Sequence, residues 1–294
     1  LTGLLSNRML RGGSREVSDS QENSDSKEPA TKNKDSLANI LTVALGVCFV
    51  CAVVVAGSAV SLKPTIKANK ELDRNKNILI AAGLFKQGET QESEIDGLFE
   101  QFTVRVVDLQ NKTFLTEDQI AAANLDISKY DQRKAAKIPG MSMELSNEQD
   151  IASISRRANY SVAYLLEKDG EIERIVLPVH GYGLWSTLYG FLALQGDGNT
   201  VAGITFYEQK ETAGLGGEVD NPSWKNLWVG KEIYQDGAVA LKVIKGAVDK
   251  SAPDAKYQVD GLAGATLTSK GVENLIAYWM GDEGFGPLLS DFKS

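Results

Sequence analysis

The stretch Asp260-Gly261-Leu262-Ala263-Gly264-Ala265-Thr266-Leu267-Thr268-Ser269 gathers residue types that bring a backbone close to an anion. Its glycines and alanines lack bulk, so a ligand can approach the main chain. It runs into a segment where Val272, Leu275, Ile276, Trp279 and Met280 recur at the spacing of an amphipathic helix. N–H groups at a helix start, together with the helix dipole, favour a phosphate. Thr266 puts a hydroxyl at that place, and Thr268 or Ser269 is expected to cap the helix. On the residues alone, the stretch reads equally as a turn that merely caps.

Two further blocks could surround a planar ligand. In His180-Gly181-Tyr182-Gly183-Leu184-Trp185-Ser186-Thr187-Leu188-Tyr189-Gly190, the glycines permit close approach. Leu184, Trp185 and the hydroxyls of Ser186 and Thr187 are candidates to line an aromatic ring; the plainer reading is a tight turn with core aromatics. In Glu208-Gln209-Lys210-Glu211-Thr212-Ala213-Gly214-Leu215-Gly216, the glycines suit a loop, and Glu211 and Thr212 are candidates to bond a ring's polar edge. The spacing is not G-x-G-x-x-G, so no dinucleotide fingerprint is present. His180 is the only histidine and has no Asp/Ser spacing that suggests a triad.

The elements that must position these residues fall into three parts. Residues 1–35 are rich in Ser, Asp, Glu, Asn and Lys and are expected to be disordered, because they cannot bury enough surface to offset ordering. Residues 36–62 form the expected membrane anchor. Ile40–Val60 carries no charge and at about 1.5 Å per residue spans roughly 30 Å, a bilayer's hydrocarbon core. The run exceeds the usual core of a cleaved signal peptide, so it reads as retained. Lysines flank both sides, so charge does not set its orientation. Cys48 and Cys51 share one face of that helix, and the remaining chain has no cysteine for a disulfide or a cluster.

Residues 63–294 read as an α+β domain with a mixed or antiparallel sheet and flanking helices. A helix is expected over 65–84, with Ile66, Leu72, Ile78, Leu79 and Ala82 tending to one side. Alternation marks strands at Phe102–Asp108, Ser161–Leu166, Ile172–Pro178 and Val201–Tyr207, with turns at Asp169-Gly170 and Asp197-Gly198. The chain has 294 residues, enough for one large unit, and its net charge of −8 opposes nucleic-acid binding.

Asp260, Gly264, Ala265 and Thr266 resemble the flavinylation motif Asp-x-x-(Ser/Thr)-Gly-Ala-Thr of the FMN-binding domain family, with Ala263 departing from it. The blocks at 180–190 and 208–216, with Ala213 where proline is common, and the ending Gly281-Asp282-Glu283-Gly284-Phe285 are similar to the NqrC family, the FMN-bearing anchored subunits of the sodium-translocating NADH:quinone oxidoreductases. The resemblance covers about residue 36 to the end. It implies FMN joined covalently through its phosphate to Thr266, with Asp260 and Gly264 shaping the loop. It further implies an electron-relay role in a bacterial inner-membrane complex, as part of an NADH:ubiquinone reductase that moves sodium and is not self-sufficient alone. The other subunits, membrane lipid and a flavin transferase that uses FAD are the implied partners, and the domain is expected on the periplasmic side. Two alternatives stand beside this reading: the corresponding G-type subunit of the related Rnf complex, and a flavin-free membrane-anchored assembly factor.

Overall fold

The computed structural model describes residues 36–86 and 88–292, so the expectation for 1–35 lies outside the described residues. The chain divides into two compact units, Leu1–Ser61 and Leu62–Ser294. The described part of the first is helical, belonging to α1 (Leu37–Ala81). Every residue from 36 to 71 is exposed, and the helix is long and apolar enough to cross a membrane. Pro64 lies inside this helix and does not end it. A helix-interior proline removes one hydrogen bond, a loss a helix of this length tolerates.

In the second unit the chain order runs α2 (Ile95–Phe99), β1 (Phe102–Asp108), β2 (Thr113–Phe114), α3 (Glu117–Ala122), α4 (Gln132–Ala135) and β3 (Ser142–Glu144). Next come β4 (Arg156–Ala158), β5 (Tyr160–Lys168), β6 (Glu171–Tyr182), β7 (Thr187–Gln195) and β8 (Val201–Glu208). Then follow α5 (Pro222–Lys225), β9 (Tyr234–Gln235), β10 (Ala238–Val239), β11 (Lys242–Ile244), β12 (Gln258–Asp260), α6 (Thr266–Met280) and α7 (Gly286–Leu289). The main sheet has the order β2-β1-β5-β6-β7-β8 and is antiparallel throughout. This is the expected α+β class, in its antiparallel form.

Alternation along the strands gives the sheet two apolar faces. Ile175, Leu177 and Val179 of β6 point to the face covered by α6, where Val272, Leu275, Ile276 and Trp279 are buried. Tyr164, Val176, Phe191 and Ala193 point to the other face, covered by Ile78, Leu79 and Ala82 from the end of α1 and its exit, and by Ile95 of α2. Gly203 admits α1 closely: a Cβ there would lie 2.4 Å from the Ala81 carbonyl oxygen.

Three local expectations change. Strand β6 runs through Pro178 to Tyr182, because its ladder with β5 ends at Val176 and only β7 pairs with it beyond. Proline tolerates such a half-edge position. The segment 187–195, expected as a ligand-lining turn at its start, is the central strand β7. Helix α6 starts at Thr266 rather than near Val272, with Ala265 as its N-cap, so neither Thr268 nor Ser269 caps it.

Candidate functional site

The site is built where the short parallel pair β11–β12 delivers the chain into α6. The turn between them is pinned from several sides. Val248 N–H donates to Asp260 Oδ1 at 2.9 Å, and Trp224 Nε1 donates to the Asp260 carbonyl at 2.8 Å. The Leu262 N–H donates to Ser269 Oγ at 2.9 Å, and Ala265 N–H to the Leu262 carbonyl at 3.1 Å. At Gly261 a Cβ would stand 2.3 Å from the Ile244 carbonyl oxygen, so only glycine lets the two strands' ends approach this closely. Gly264 has φ +71°, a left-handed conformation that glycine adopts without cost. Asp260 therefore acts on the loop: its carboxylate holds the 245–248 segment against the turn.

Thr266, the first helical residue, is exposed. The first N–H groups of a helix lack partners within it. Here Ala265 offers no side-chain acceptor, and the first turn holds no acidic residue. The dipole and N–H groups at this end are thus left available to an anion. Thr266 also borders a cavity of about 490 Å³, whose walls include Ile244, Lys245, Gly246, Asp260, Gly264 and Lys270. That volume falls in the usual range for small-molecule sites. Beside it, Leu267 is 62% exposed and Leu215 43% exposed, and Leu215 Cδ2 would lie 3.0 Å from a Cβ on Gly264.

The loop 183–186 lies against the same helix, since a Cβ on Gly271 would meet the Tyr182 carbonyl oxygen at 2.4 Å. Trp185 projects into solvent with 66% of its surface exposed, while Leu184 and Thr187 are half-buried. Unpartnered aromatic and aliphatic surface next to an anion site suits a molecule with a phosphate at one end and a planar ring at the other.

Glu211 does something different from the expected ring contact. Its carboxylate is buried and accepts from the N–H groups of Leu184 (3.2 Å), Trp185 (2.9 Å) and Ser186 (3.0 Å). The hydroxyls of Ser186 (3.3 Å) and Thr268 (2.8 Å) complete the set. Burial alone raises its pKa, but the bonds from Thr268 and the three N–H groups outweigh that and hold it below the ordinary value. Ser186 Oγ also accepts from Lys210 N–H at 2.8 Å. Thr212 is exposed, and its carbonyl accepts from Leu215 and Gly217 N–H groups in the following turn.

The structure thus brings together Asp260, Gly264, Ala265 and Thr266 on one side, and Leu184, Trp185, Ser186 and Glu211 on the other. Thr268 joins the two groups. Sequence reading missed Lys245, Lys270, Leu215 and Leu267. The exposed leucines carried one signal: Leu267 follows Thr266 where an amphipathic helix would keep leucine inward.

A membrane-length helix joined to an antiparallel α+β domain, with an anion-ready threonine beside exposed apolar surface, defines a membrane-anchored carrier of a phosphate-bearing cofactor. Residues 183–281 match the FMN-binding domain. The chain is 52% identical over 263 residues to the C-type subunit of the Na(+)-translocating NADH-quinone reductase of Pseudomonas aeruginosa, covering 89% of this chain and 98% of that one. It is 44% identical to its counterpart in Vibrio alginolyticus, over 89% and 97% of the two chains. The crystal structure of Shewanella oneidensis NqrC matches with a TM-score of 0.66 at 32% identity, over 78% of this chain and 99% of that one. The chain belongs to the NqrC family of the Na(+)-translocating NADH-quinone reductases.

Proposed function

We propose that this chain carries one FMN as a phosphoester on Thr266 and relays electrons within a sodium-translocating NADH:quinone reductase. The observation that carries the reading is the exposed hydroxyl of Thr266 at an uncapped helix start, facing a cavity. Esterification forms a bond between Thr266 Oγ1 and the FMN phosphorus as the hydroxyl proton leaves. With FAD as donor, the transferase breaks the diphosphate bond and AMP departs. The helix start and its dipole then stabilise the phosphodiester, with the ammonium groups of Lys245 and Lys270 at the cavity wall. Asp260 and Gly264 keep the turn in shape, and Ala265 closes it against the core.

FMN supplies the redox chemistry when bound; the chain positions it and sets its surroundings. Trp185, Leu184 and Thr187 border the place where the ring lies, and Leu215 and Leu267 extend that surface. The absence of a dinucleotide fingerprint makes a neighbouring cofactor, not NADH, the electron donor. The partners are the other subunits of the complex, the transferase and the membrane lipid around Ile40–Val60. The domain sits on the periplasmic face of the bacterial inner membrane, where a covalent link prevents loss of the cofactor. In-gel fluorescence of denatured protein tests the attachment: signal from the wild type and none from Thr266→Ala supports it. A signal that persists in Thr266→Ala overturns it.

A further inference from the structure

Glu211 has a setting that loop geometry alone does not require. Two glycines make room for its carboxylate: a Cβ on Gly183 would lie 2.8 Å from Oε1, and one on Gly216 would lie 2.9 Å from Oε2. The same Cβ on Gly216 would lie 2.5 Å from Thr268 Oγ1. Three consecutive N–H groups and two hydroxyls converge on it, and among the described residues no ion pair neutralises it. A buried charge is costly unless hydrogen bonds compensate it, and here they are charge-assisted. Neutral glutamine at this position would serve the loop nearly as well. The bond to Thr268 places the negative charge in the first turn of α6, two residues along from Thr266.

We propose that Glu211 is a positioning residue of the flavin site: it locks the 184–186 loop onto the start of α6, and its fixed negative charge lowers the flavin's reduction potential. The inference rests on the attachment of FMN at Thr266. A charge held in a poorly solvated pocket acts at longer range than one in water, and it opposes the arrival of electrons nearby. Charge close to a flavin ring is one of the ways a protein tunes it. The N–H groups of Leu184, Trp185 and Ser186 are aimed at the carboxylate, so the loop's backbone is fixed and Trp185 is held outward.

The test uses the full flavinylated chain in detergent. A wild type without flavin refutes the attachment at Thr266 rather than this inference. Glu211→Gln keeps an acceptor oxygen and removes the charge; Thr268→Val keeps the charge and removes one bond. Spectroelectrochemical titration is expected to give Glu211→Gln a more positive midpoint potential than wild type, with Thr268→Val close to wild type. Equal potentials for wild type and Glu211→Gln overturn the proposal. If Glu211→Gln takes up no flavin, hydrogen exchange on the full chain decides. Exchange at the amides of 184–186 accelerated by about tenfold, with α6 still protected, supports the positioning role. Unchanged protection there overturns it.

Discussion

Helix α6 is entered and left through glycine-bearing turns, and the two ends are built in opposite ways. At its start Ala263, Gly264, Thr266 and Leu267 are exposed, the N-cap makes no side-chain bond, and the turn borders a cavity. At its end Trp279, Met280 and Phe285 are fully buried. Trp279 Nε1 donates to the His180 carbonyl at 2.6 Å, and a Cβ on Gly284 would meet the Trp279 carbonyl oxygen at 2.2 Å. Arg157, itself buried, donates to the Glu283 carbonyl, and Lys112 donates to the same carbonyl at 2.9 Å. Packing is concentrated at the far end, so the near end can stay open without loosening the helix. Stability and ligand attachment are therefore separable along one fifteen-residue helix.

The largest effect is expected where packing is densest. Trp279→Ala should lower the unfolding free energy by about 3–5 kcal/mol, read by thermal or urea unfolding. A loss of under about 1 kcal/mol would show that the closed end is not the anchor of the helix. Next comes Gly261→Ala in the turn that shapes the near end. Its Cβ must displace the Ile244 carbonyl oxygen, costing about 1–3 kcal/mol. Flavin incorporation should fall with it; full incorporation at wild-type melting temperature would contradict the tight approach.

Acid should act on the closed end. Burial, reinforced by the charge of Arg133, pushes the His180 pKa down to about 4. The ring stacks on Tyr189 with centroids 5.5 Å apart and lies 4.9 Å from the Trp279 ring. Between its unfolded value of about 6.5 and the folded value of about 4, the unfolded chain binds more protons. The stability tied to this group is thus present above about pH 6.5 and is lost as pH falls toward 4. Unfolding curves across that window should be flatter for His180→Gln; an unchanged acid slope in the variant would assign it elsewhere. The smallest effect belongs to Thr266→Ser, within about 0.5 kcal/mol of wild-type stability because the site is exposed. It should retain some flavin on a fluorescence gel, since the hydroxyl remains, and complete loss would mean that the methyl is needed.

The same contrast explains what could be read from the chain. Local patterns were legible: β1 occupies the expected Phe102–Asp108, and the turns at Asp169-Gly170 and Asp197-Gly198 join β5 to β6 and β7 to β8. Strand β7 was hidden because its start, Thr187-Leu188-Tyr189-Gly190, continues a glycine-rich loop and alternates weakly; its partners on both sides make it a strand. The anion-ready turn at 260–266 was legible because its chemistry is contiguous. The role of Glu211 was not, because its partners lie 25 to 57 residues away and two glycines far apart in sequence open its pocket. Thr268 looked like a cap for the same reason: nothing local shows that its hydroxyl turns to Glu211.

The most direct test is the intact mass of the natively expressed chain beside its Thr266→Ala variant. The account predicts one added FMN less one water in the wild type, located at Thr266 by peptide fragmentation, and no addition in the variant. An unmodified wild type, or an FMN adduct that survives in Thr266→Ala, would contradict it.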